Sequence, residues 1–144
     1  MVDGLVIDAS VVAKLYLRDE QHVTQTDTLF KRFKEGQVHL VAPRIITYEV
    51  PAAIKKGVQW ARTPDKVWRD ALSSFESLGL VIVDDSKSKQ DAIKLSLHYS
   101  CHYYDALYLL LAEDLGWNFI TAEDKLIRNI SQRVNYVFPL ANYK

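Results

Sequence analysis

The 144-residue chain has a single cysteine, Cys101, which excludes an internal disulfide framework and fits a reducing compartment. Glycine and proline are scarce, five and four residues, so collagen-like, linker-rich and low-complexity architectures are excluded. No apolar run approaches the ~20 residues needed to cross a bilayer, and no basic stretch leading into a long apolar segment opens the chain. A cytoplasmic protein without membrane contact is therefore expected. Net charge is absent too, because 18 basic residues balance 18 acidic ones. Nucleic-acid binding usually shows as a basic excess, so a polyanionic partner would have to be handled by a local patch or a metal ion.

What the sequence does contain is an alternation of short apolar runs and helical stretches. Leu5-Val6-Ile7 shows no polar alternation, as a strand covered on both faces requires, and it stops at Asp8. Further strands are expected at residues 38–41, 80–83, 117–120 and 135–138. Helices are expected at 11–17, 23–34, 45–57, 63–78, 87–99, 102–115 and 121–130, with Gly36, Gly57, Gly79 and Gly116 placed to end four of them. Pro51 fits the third helix only within its first turn or two, or at a kink. The stretch from Ala106 to Ala112 carries no charge and should be buried against the sheet. Strands separated by helices throughout predict a parallel sheet covered on both faces, built as one domain over residues 1–144.

In open sheets of that kind ligands bind beyond the carboxyl ends of the strands, where Asp8 stands. Asp8 or Ser10 could equally cap the next helix. Three further acids hold comparable places: Glu49 early in a helix, Asp105 in the first turn of the apolar helix, and Glu123 just after Phe119-Ile120 with Asp124 beside it. Each alone has a plain explanation, since the helix dipole favours first-turn acids by roughly 0.3–1 kcal/mol and Thr121 can act as a cap. Together they say more. Carboxylates gathered at one sheet edge raise one another's pKa unless a cation neutralises them. An all-oxygen donor set points to Mg²⁺ or Mn²⁺, and the chemistry that follows is phosphodiester hydrolysis without a protein nucleophile.

Four blocks carry a family resemblance: Val6-Ile7-Asp8-Ala9-Ser10-Val11-Val12-Ala13-Lys14, Ala42-Pro43 followed by Tyr48-Glu49-Val50, Tyr104-Asp105-Ala106-Leu107-Tyr108-Leu109, and Ile120-Thr121-Ala122-Glu123. In this order they resemble the PIN domain, and in particular the VapC-type toxins of toxin–antitoxin pairs. The resemblance implies a three-layer α/β/α fold with a parallel five-stranded sheet. It implies a metal-dependent endoribonuclease acting on structured RNA, a homodimer, and a cognate antitoxin partner. By position Asp8, Glu49 and Asp105 match the family's first three acids, with Ser10 and Thr121 in supporting polar places. The fourth acid departs from the pattern: Glu123 followed by Asp124 stands where the family has Asp, so either could complete the metal ligands Asp8 and Asp105, and register favours Glu123. Val50-Pro51-Ala52 also departs from the small residue and Asn that the family carries after its second acid.

His98, Cys101 and His102 lack a fourth ligand for zinc. Tyr103, Tyr104 and Tyr108 are expected in the core or on a dimer surface, because the residues around them are apolar. Lys14, Arg44, Lys55, Lys56, Arg62, Lys125 and Arg128 are the expected phosphate contacts. Two other functions fit parts of the pattern: a catalytically weak PIN-like module that binds RNA or protein, and an aspartyl-phosphate protein with Asp8 as nucleophile. The second lacks the further acid two residues after Asp8 that a dehalogenase-like phosphatase requires.

Overall fold

The computed structural model describes residues 2–60, 64–84 and 88–144. Arg62, Thr63 and Lys87, to which the sequence assigned a phosphate contact and two helix starts, lie outside those residues. Five strands form one sheet, all parallel, in the order β3-β2-β1-β4-β5. They are β1 (Asp3–Ile7), β2 (Val38–Pro43), β3 (Val81–Val83), β4 (Asn118–Thr121) and β5 (Val137–Pro139). The strand with the barest apolar run is the central one, since β1 pairs with β2 on one side and β4 on the other. Successive residues of a strand face opposite sides, yet Val6 and Ile7, like Phe119, Ile120 and Thr121, are all buried. Both faces of the sheet are therefore covered, which gives the three-layer α/β/α arrangement.

The helices are α1 (Ala9–Val12), α2 (Val23–Lys34), α3 (Ile46–Gln59), α4 (Trp68–Glu76), α5 (Lys89–Tyr99), α6 (Tyr103–Leu115) and α7 (Asp124–Ile130). The first begins directly after Asp8 and tightens into a 3₁₀ turn over Ala13–Leu15 instead of running to residue 17. Pro51 is the sixth residue of α3, in its second turn. Gly57 does not end α3; it is buried inside the helix, which runs on to Gln59. Ser100 breaks the chain between α5 and α6 by adopting the left-handed conformation, and Gly116 does the same after α6, where the lack of a side chain removes the strain. The charge-free face of α6 packs across β1, β2 and β4, with Ala106, Leu107, Tyr108, Leu109, Leu111 and Ala112 buried. That packing brings the first turn of α6, and Asp105 with it, to the carboxyl end of the sheet.

Candidate active site

Asp8 sits where β1 gives way to α1, and it does two things at once. Its backbone is extended and its Oδ1 accepts the Val11 N–H at 3.3 Å, so it caps α1. Ser10 Oγ donates to Oδ1 at 2.5 Å and Thr121 Oγ1 donates to Oδ2 at 2.6 Å, so both oxygens of this buried carboxylate are also oriented by hydroxyls. The hydroxyls are fixed in turn: the Ala122 N–H donates to Ser10 Oγ at 2.9 Å and the Glu123 N–H to Thr121 Oγ1 at 3.1 Å. These bonds tie the segment after β4 to the end of β1. Thr121 accordingly is the last residue of β4 and not a helix cap; Glu123 holds the cap position of α7.

Glu49 comes from the first turns of α3, and its Oε1 accepts the Tyr108 hydroxyl at 2.6 Å. Tyr108 is held by its ring, stacked on Phe119 with centroids 5.4 Å and planes 7° apart. Its burial bears out the sequence expectation of a core position, but its hydroxyl also pairs with Glu49, a contact that sequence reasoning did not foresee. The available signal was its spacing, three residues and thus one helical turn beyond Asp105. Tyr104 is exposed and Tyr103 half-buried.

Electrostatics shows which acids lie within reach of one another's charge. Burial pushes the Asp8 carboxyl up to about 7 against the Ser10 and Thr121 hydrogen bonds, and the charges of Glu123 and Glu49 push the same way. Glu49 is raised by burial, then by Asp105 and Glu123, with the Tyr108 hydrogen bond opposing. Asp105 is raised by burial and by Glu123, while His102 opposes. Glu123 is thus the one acid whose charge reaches the other three. Glu123 and Asp124 are both exposed at the start of α7, but Asp124 is not among the charges acting on the other acids.

Two hollows share Glu123 as a wall. One, of about 390 Å³, is lined by Ser10, Lys14, Glu20, Glu49, Lys56 and Glu123 among others. The second, of about 440 Å³, takes in Cys101, His102, Asp105, Glu123, Lys125 and Asn129. A separate apolar groove between α3 and α4, lined by Ile54, Val58, Trp68 and Leu72, contains none of these four acids.

Among the described residues no three Asp, Glu, His or Cys side chains stand close enough to form a ready metal cage, which also disposes of His98, Cys101 and His102 as a zinc cluster. The donor chemistry nevertheless suits one class of ion. Mg²⁺ and Mn²⁺ take oxygen ligands, and Mg²⁺ binds through one or two carboxylates while keeping several waters. Carboxylates that raise one another's pKa gain from such a cation.

The crystal structure of PAE2754 from Pyrobaculum aerophilum matches this fold with a TM-score of 0.67 at 18% identity, covering 98% of this chain and 93% of that one. A toxin-antitoxin complex from Klebsiella pneumoniae matches with a TM-score of 0.59 at 15% identity, covering 94% of this chain and 97% of its own. No curated protein matches the sequence. The PIN domain family model matches residues 5–131, from the central strand through the last helix. With that match on a parallel sheet centred on β1, the chain belongs to the PIN domain family, whose members are generally nucleases.

Proposed function

We propose that this protein is a Mg²⁺- or Mn²⁺-dependent endoribonuclease and that it serves as the toxin of a VapBC-type pair. The observation that carries the reading is the placement of Asp8, Glu49, Asp105 and Glu123 by four different parts of the chain beyond the carboxyl end of one sheet, where the charge of Glu123 acts on the other three. Asp8, Asp105 and Glu123 are assigned as the carboxylates from which such an ion would draw its one or two direct contacts, with waters completing its shell, and Glu49 as their catalytic neighbour, with Glu123 preferred over Asp124. Bound there, the ion would offset charge on the phosphate and lower the pKa of a water. The residues of the chain do the rest. Ser10 and Thr121 hold the Asp8 carboxylate in one orientation, and Tyr108 holds Glu49. Glu49, raised by burial and held by Tyr108, is assigned the proton exchange while water oxygen joins phosphorus and the bridging P–O bond breaks.

A toxin-antitoxin complex of the same fold supports an antitoxin partner, and the resemblance to VapC toxins supports a homodimer in the cytoplasm. The aspartyl-phosphate alternative is disfavoured because both Asp8 oxygens accept hydroxyl hydrogen bonds within the fold. The test is cleavage of structured RNA by the purified chain, in chelator and after Mn²⁺ is restored. Cleavage that appears only with the ion supports the reading; RNA binding without cleavage under either condition favours the catalytically weak module.

A further inference from the structure

We propose that Lys14, held in place by Glu20 and Arg18, is the cation that grips an RNA phosphate in the hollow beside the four acids. This assignment rests on the nuclease reading above. Lys14 is 7% exposed, and lysine is almost never fully buried unless paired. Its Nζ lies 3.2 Å from Glu20 Oε1, and both residues line the hollow that also holds Ser10, Glu49 and Glu123. The other end of the residue is fixed as well. Arg18 Nη1 donates to the Lys14 carbonyl at 3.1 Å, and Asp27 grips the Arg18 guanidinium with both oxygens, at 2.8 and 2.6 Å.

Two observations make this arrangement more than a surface ion pair. A lysine stem is ordinarily flexible and must be ordered when it binds, whereas this one is packed in advance, so less entropy is lost on contact with a ligand. The hollow also poses a problem for a polyanion, because Glu49 and Glu123 stand on its wall and the chain carries no net positive charge to attract RNA from a distance. A fixed ammonium within the same hollow supplies the attraction where the strand must sit. Lys56 lines it too, but is exposed and has no such bracing among the described residues. Glu20 is then a positioning residue, since it acts through Lys14.

The test is the salt dependence of RNA cleavage by the full chain and by Lys14→Met, Lys14→Arg and Glu20→Gln variants in Mn²⁺. For Lys14→Met, KM is expected to rise roughly tenfold with kcat within about threefold, and the slope of log kcat/KM against log salt to become shallower by about 0.7, the value of one phosphate contact on a single strand. Lys14→Arg should restore the slope, and Glu20→Gln should raise KM while keeping it. An unchanged slope in Lys14→Met, with only lost stability, makes the pair a structural staple and overturns the assignment alone. Wild-type protein that neither binds nor cleaves RNA overturns the nuclease reading and this assignment with it. Should Lys14→Met not fold, the Lys14 side-chain resonance of the unaltered protein is followed as an oligoribonucleotide is added in Ca²⁺; a shift supports the contact and no shift removes it.

Discussion

Asp8 concentrates the chemistry of this fold into one side chain, because burial and neighbouring charge act on it together. In the metal-free protein its carboxyl is raised from 3.8 to about 7, so the folded state binds the proton more tightly than the unfolded chain does. The stability it contributes is complete below the unfolded value and is lost as pH rises through about 7, a difference of roughly 4 kcal/mol. Thermal unfolding in chelator should therefore show a midpoint that falls between about pH 4 and about pH 7 and levels off above that, and Asp8→Asn should flatten that fall. An equally steep fall in the variant would place the titrating group elsewhere. Tyr108 gives a second residue-scale prediction. Tyr108→Phe keeps the ring stacked on Phe119 and removes the hydroxyl that favours ionised Glu49. Loss of a hydrogen bond to a charged group is worth about 1.5–3 kcal/mol, so cleavage near neutral pH should drop at least roughly tenfold and the acid limb of the pH–rate profile should move upward. A profile that stays in place would deny the tyrosine its role.

At the scale of elements, the strands carry position and the helices carry the acids to it. β1 is central, with neither face of its carboxyl end at Val6 and Ile7 meeting water, and its amino end is fixed by a close approach to the residue that leads into β4. A Cβ at Gly4 would come within 2.4 Å of the Trp117 ring. Gly4→Ala should cost about 1–3 kcal/mol, read as a lower denaturant midpoint with the slope unchanged. Activity per folded molecule should stay the same, since Gly4 lies at the other end of the strand from Asp8. Much of this scaffold was legible in the sequence. The uninterrupted Leu5-Val6-Ile7 run, the charge-free stretch of α6 and the placement of Pro51 early in α3 are local patterns with local causes. What was not legible depends on partners far along the chain. The Tyr108–Glu49 bond spans 59 residues and the Thr121–Asp8 bond 113, so a tyrosine in an apolar run read only as packing, and a threonine before an acid read locally as a helix cap, its supporting place beside Asp8 coming only from the family resemblance. Lys14 likewise carried no sign that it would be buried, because its burial follows from Glu20 and the packing around α1.

For the molecule as a whole, neutrality and acidity have to be reconciled with a polyanionic substrate. On the proposed nuclease reading, local cations around the hollows together with a hard divalent ion among the acids would provide that reconciliation. Any ion that binds only the folded state stabilises it by mass action, about 2.7 kcal/mol at a hundredfold excess over Kd. Mn²⁺ should therefore raise the thermal midpoint of the wild-type chain, and the rise should vanish in Glu123→Gln but survive in Asp124→Asn. The reverse pattern would make Asp124 the fourth acid of the site. Most direct of all is RNA cleavage in Mn²⁺ by Asp105→Asn protein whose circular dichroism and unfolding midpoint show it to be folded. Cleavage should fall to the level of a blank; full activity in that folded variant would contradict the proposed active site.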